Sequence, residues 1–204
     1  MEYLVLGFFT GLSLILAIGA QNIFVIEQGL KKQHVFLVCF VCSLSDFLLI
    51  FLGIFLFHFF HQYFNLFVEL VLNILLIIFL IYFIYSKVQS FKINVNFNSE
   101  IKDTSKKEIF LRTLGFTYLN AHVYSDTVFF LGNFSKNFLS EEKIYFGLGA
   151  SIASFIFFFL LGYLSIYFSK YSQDGKSWKF INIFIIVFMS ILTIYIFQET
   201  LYLV

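Results

Sequence analysis

Six apolar runs, at 3–26, 35–57, 66–86, 111–132, 144–168 and 180–203, alternate with short polar segments along the chain. Each approaches the roughly 20 residues a helix needs to cross about 30 Å of hydrocarbon. Lipid offers no partner to backbone N–H and C=O groups, so each run is expected to be a helix that satisfies its own. The fold expected is an all-α membrane protein of six transmembrane helices. The first run has no basic segment before it, with Glu2 leading, and stays apolar past Ala17 and Gly19. It reads as a span and not as a cleaved leader.

Three polar clusters interrupt this pattern from inside the apolar runs. They are Gly19 to Asn22, Ser43 to Asp46, and Asn120 to Asp126. A carboxylate at the centre of a bilayer helix costs about 2.5–3.5 kcal/mol on insertion scales, so Asp46 and Asp126 mark a substrate or ion pathway. In a regular helix Tyr118, His122, Ser125 and Asp126 fall at i, i+4, i+7 and i+8 on one face. The Asp126 carboxylate could then fix the His122 tautomer. A local break near Asn120 would turn its amide toward the same cavity. Asp46 could meet a cationic ligand, take up a proton, or bond Gln21 or Asn22 across helices. Gly19 before the amides of Gln21 and Asn22 suits an unwound stretch facing a cavity. Gly7 and Gly11 form a close-packing pair, and Glu27, Lys31 and Lys32 read as a solvated turn.

Composition sharpens the picture without changing it. The 204 residues are 60% hydrophobic and 12% charged, about half the charged share of an ordinary soluble domain. A net charge of +1 gives no electrostatic case for nucleic acid. The polar stretch 87–110 divides the chain into halves at 1–86 and 111–204, and reads as a flexible cytoplasmic connector. Lys31, Lys32, Lys87, Lys92, Lys102, Lys106, Lys107, Arg112, Lys170, Lys176 and Lys179 fall on one side of six spans, with only Lys136 and Lys143 on the other. The positive-inside rule then puts both termini outside.

Overlaying the halves at an offset of 104 sets Gly11 against Gly115, Ala17 against Ala121 and Asn22 against Asp126. A small loop adjustment brings Asp46 opposite Ser154. Three spans per half would invert the second copy, an architecture of secondary transporters. Cys39 and Cys42 share a helix face, so a membrane thiol oxidoreductase is an alternative. No second cysteine pair exists to pass electrons on, and two small buried residues account for them better.

The clusters carry a family resemblance. Residues 11–25 (GLSLILAIGAQNIFV), then Gln28, Gly29 and Leu30, residues 42–50 (CSLSDFLLI) with Gly53, and residues 119–127 (LNAHVYSDT) through Leu131 and Gly132 resemble the LysE family of amino acid exporters. Within it, the arginine/lysine branch is most similar. Alanine stands at Ala17 and Ala121 where that family usually has proline, so a helix break here must rest on Gly19 and unpaired amides.

The resemblance implies a bacterial cytoplasmic membrane transporter, not an enzyme, with no cofactor or metal. Its substrate would be L-lysine or L-arginine, exchanged for protons, with another amino acid or small cationic solute as the alternative cargo and a homodimer as one open assembly. The substrate-binding set expected is Gln21, Asn22, Asp46, Asn120, His122, Tyr124 and Asp126, with Asp46, Asp126 and His122 coupling protons.

Overall fold

The first apolar run does not make one helix. In the computed structural model, which describes residues 1–16, 19–63, 66–92, 104–171 and 175–202, α1 (Glu2–Ile15) and α2 (Ala20–Lys31) are bent 83° apart at a short break. The chain continues through α3 (Val35–Tyr63) and α4 (Leu66–Lys92). The run at 111–132 is interrupted as well. It comprises α5 (Lys106–Tyr118), a break at Leu119 and Asn120, α6 (Ala121–Tyr124), a π-helix over Ser125–Phe130, and α7 (Leu131–Phe134). Two long helices close the chain, α8 (Ser140–Phe168) and α9 (Gly175–Tyr202), joined in part by a 3₁₀ turn over Ser169–Tyr171. Among the described residues everything regular is helical.

Four helices are long and apolar enough to cross a bilayer: Val35–Phe57, Leu66–Ser86, Ser140–Phe168 and Lys179–Tyr202. The bent α1–α2 pair makes a fifth if taken as one span. The fourth run is not among them, because its break and π-helix leave no single helix of spanning length. Both ends of the stretch expected as a connector, 87–110, are helical. α4 continues to Lys92 and α5 opens at Lys106, where the Ser105 hydroxyl accepts the Glu108 N–H at 3.2 Å as an N-cap. Residues 93–103 lie outside the described residues.

α8 is the axis against which the rest is arranged. Its N-terminal half takes α1 at backbone contact. A β-carbon at Gly7 would strike the Phe146 carbonyl, one at Gly11 would lie 2.8 Å from Ala150 Cα, and one at Gly149 would strike the Leu4 carbonyl. The Gly7 and Gly11 pair thus packs as expected. The C-terminal half of α8 takes α2 in the same way, with the position of a Gly29 β-carbon 2.6 Å from the Gly162 carbonyl. α3 lies between, against α8 on one side and the π-helix on the other.

A second core gathers rings from α2, α4 and α5. Phe116 lies 4.8 Å from Phe24, 4.8 Å from Phe79 and 5.1 Å from Phe83, centroid to centroid. α9 packs on α4 and adds Ile185, Met189 and Ile196 to the same core. Their outward faces, with Ile78, Ile81, Phe184 and Ile191 exposed, suit contact with lipid.

The basic end is built by a turn. Lys32 and His34 both adopt left-handed backbone (φ 55° and 48°), uncommon for residues other than glycine. The His34 ring nitrogen meets the Thr104 carbonyl at 3.1 Å, so the Lys31–His34 turn lies beside the start of α5 and its lysines. Glu27 is not solvated as its sequence position suggests. It is 1% exposed and pairs with Lys31 at 2.5 Å. A polar helix end reads as a wet turn in sequence, but here α8 and the 3₁₀ turn pack over α2.

The α3–π-helix contact gives a direct test. The β-carbon of Gly53→Ala would lie 2.6 Å from Val128 Cα and from its carbonyl oxygen, whereas one at Gly19 meets nothing within 4 Å. Overpacking of this kind costs about 1–3 kcal/mol. Gly53→Ala should therefore lower the melting temperature in detergent, and Gly19→Ala should leave it unchanged.

Candidate functional site

The two helix breaks and the middle of α3 meet at one cavity of about 330 Å³, near the lower end of the roughly 300–1,000 Å³ typical of small-molecule sites. Its wall takes Gly11 and Ile15 from α1, Gly19 from the break, and Ala20, Gln21 and Asn22 from the first turn of α2. α3 adds Asp46 and Ile50, the second break adds Asn120, and the following segment adds Val123, Asp126 and Thr127. Leu76 of α4, Phe158 of α8 and Leu192, Tyr195 and Ile196 of α9 add apolar and ring surface.

Each break is bridged by a side chain from the helix that follows. Asn22 Nδ2 donates to the Ile15 carbonyl at 3.2 Å, and the Tyr124 hydroxyl donates to the Tyr118 carbonyl at 2.9 Å. These carbonyls belong to last turns, where a helix leaves acceptors without partners of its own. Tyr124 therefore serves the break and does not line the cavity. Alanine at 17 and 121 does not prevent either interruption: α1 stops at Ile15 and α5 at Tyr118. Ala17 itself lies outside the described residues.

The regular-helix face expected for Tyr118, His122, Ser125 and Asp126 is not kept. The break at Leu119 and Asn120 and the π-helix both change the register. The Leu131 N–H reaches back five residues to the Asp126 carbonyl. Such π segments are frequent at functional sites, and here the backbone of α3 at Gly53 presses against Thr127 and Val128. Asp126 is half-buried and in the cavity wall. Asn120 joins it there, as a break at that point requires. The side chains of His122 and Ser125 lie outside the described residues.

Asp46 is 3% exposed and bonded across helices. Its partner is neither Gln21 nor Asn22 but Ser154 of α8, whose hydroxyl donates to Oδ2 at 2.8 Å. Ser43, in the same cluster, returns its hydroxyl to the Cys39 carbonyl of its own helix at 2.8 Å and takes no part in the site. Among the described residues no Lys or Arg lines the cavity, so its charged groups are two carboxylates. That arrangement favours a cation, a proton, or the two in turn. Ser154 was visible in the sequence only through the overlay of the halves, which set it opposite Asp46.

Cys39 and Cys42 are both buried thiols, and the Cys39 S–H donates to the Phe158 carbonyl at 3.1 Å. Cys39 packs between α3 and α8, and Cys42 packs beside Gln21 of α2 and Thr117 of α5. Among the described residues no group of His, Cys, Asp and Glu could hold a metal ion.

A protein-family model described as LysE type translocator matches residues 12–200. The chain belongs to the LysE family. It is therefore a transporter and not an enzyme. Its relatives include the arginine exporter protein ArgO of Salmonella paratyphi A, 30% identical over 98% of this chain and 95% of the relative. The arginine exporter protein ArgO of Pectobacterium carotovorum is 32% identical over 90% of each chain. No solved structure matches.

The bridge over the second break can be tested alone. Tyr124→Phe keeps the ring and removes the donor to Tyr118. Leaving a buried acceptor unsatisfied costs about 1–3 kcal/mol, so the variant should melt earlier and exchange its amides near residue 120 faster. Replacing Cys39 and Cys42 together by Ala should leave transport intact.

Proposed function

We propose that this translocator exports basic amino acids, arginine or lysine, from the cytoplasm in exchange for protons. The observation that carries the proposal is the single cavity whose wall holds Asp46 and Asp126 and, among the described residues, no Lys or Arg. A cationic side chain answers two carboxylates, and the relatives named arginine exporters supply the same substrate class. Arginine offers a planar fork to a carboxylate, and lysine a compact point charge.

Energetics favour exchange over a passive pore. Moving one positive charge outward against an inside-negative potential costs about 2.3 kcal/mol per 100 mV. A pore would carry such a substrate inward. Returning one proton for each monovalent cation leaves no net charge movement, and the pH gradient drives export. In this scheme Asp46 and Asp126, with His122, alternate between proton and substrate, while Gln21, Asn22 and Asn120 hold the polar parts of the ligand.

The same proposal takes the chain as six membrane helices in two inverted halves, each opening with an interrupted helix. Three features support it. The breaks fall at comparable points of each half. α3 and α8 are both 29 residues long. Asp46 and Ser154, which the overlay sets opposite one another, are in contact. With the basic turn at Lys31 and Lys32 cytoplasmic, both termini face outward.

Reconstituted protein with an imposed pH gradient tests the mechanism. Removing one partner of a desolvated charge pair costs about 2–5 kcal/mol. Asp46→Asn and Asp126→Asn, made singly, should each lower proton-driven arginine flux by about 30-fold or more at unchanged protein level. Wild-type flux in both variants would end the proposal.

A further inference from the structure

The cavity has acceptors in Asp46 and Asp126, and its wall also carries hydrogen-bond donors. The chain enters α2 through Gly19 in an extended conformation (φ −117°, ψ −178°), and no side chain caps the helix. The Gly19 carbonyl accepts the Ile23 N–H at 3.2 Å. The N–H groups of Ala20 and Gln21 precede any acceptor in their own helix, and both residues line the cavity. The approach to them is open, because a β-carbon at Gly19 would meet nothing within 4 Å.

The second observation is the Gln21 side chain. It is 7% exposed, and its Nε2 is buried without a hydrogen bond of normal geometry. The group beside it is the Cys42 thiol, a weak acceptor. A buried amide donor without a proper partner loses free energy unless a ligand supplies one. Backbone donors, the positive end of a 12-residue helix and this side chain thus coincide in one wall.

We propose that this corner, the Ala20 and Gln21 N–H groups with Gln21 Nε2, is the subsite for the α-carboxylate of the transported amino acid. The inference rests on the basic amino acid reading above and fixes how such a substrate lies. Its carboxylate sits on the start of α2, and its cationic groups turn to Asp46 and Asp126. The charges require a division of this sort. A substrate carboxylate loose among two aspartates would be repelled in a medium that screens poorly, and no Lys or Arg among the described residues lines the cavity to hold it.

The experiment is competition against labelled arginine in liposomes containing the full chain. The competitors are unlabelled arginine, argininamide, which keeps both cationic groups and loses the carboxylate charge, and agmatine, which lacks the carboxyl group. Wild-type protein should favour arginine over both by about tenfold or more, the range of a charge-assisted hydrogen-bonded contact. Gln21→Glu, close in shape but anionic, should weaken arginine by a similar factor and erase its advantage over agmatine. Gly19→Val, which stands a branched side chain over the same amides, should do likewise, and it decides the matter if Gln21→Glu does not fold. Agmatine and argininamide competing as well as arginine in wild type would overturn the inference while leaving the exporter reading in place. Variants that weaken all three ligands equally, or none, overturn it too. Wild-type protein that neither binds nor moves any basic amino acid would sink the exporter reading and this inference with it.

Discussion

A helix broken inside a bilayer exposes backbone groups that no lipid can satisfy, and this site depends on how those groups are answered. The last carbonyls before each break are met from the far side, by Asn22 for α1 and by Tyr124 for α5. The first amides of α2 belong to residues that line the cavity. A polar backbone at membrane depth is tolerated only when it is buried in protein or lines a wet space. The breaks and the cavity therefore imply one another. Without the cavity the opened turns would be costly, and without the opened turns the cavity would lose Gly19, Gln21, Asn22 and Asn120 from its wall.

The glycines make this arrangement compact enough to close. Gly7, Gly11 and Gly149 let α1 lie on α8 at backbone distance, while Gly53 and Gly132 do the same for α3 and the segment after the second break. Small residues at helix crossings replace the hydrophobic drive that lipid removes. Asp46 is carried on the middle helix of this stack, and its bond to Ser154 ties α3 to α8 at the depth of the site.

Much of this was legible in the residues. The long spans follow from apolar runs, and Asp46 and Asp126 announce themselves by their expense. The family likeness rests on contiguous motifs. What the sequence concealed is geometric. Ala17 and Ala121 are good helix formers, so only Gly19 and the nearby amides hinted at an interruption beside them. The π-helix at Ser125–Phe130 has no compositional mark and depends on the approach of Gly53. Glu27 looked wet because polar residues near helix ends usually are, and only the packing of α8 over α2 buries it. Tyr124 shares a motif with Asp126 yet serves the backbone, which residue type alone cannot reveal.

The Ser154 hydroxyl carries one proton and two lone pairs. It can give a hydrogen bond to a carboxylate and receive one from a carboxylic acid with only a turn about its own C–O bond. Asp46 can thus lose or gain its charge while remaining tethered to α8, and neither helix needs to shift to keep the partner. In a fold whose backbones touch at glycine, such a swivel separates the titration of a group from the movement of its scaffold.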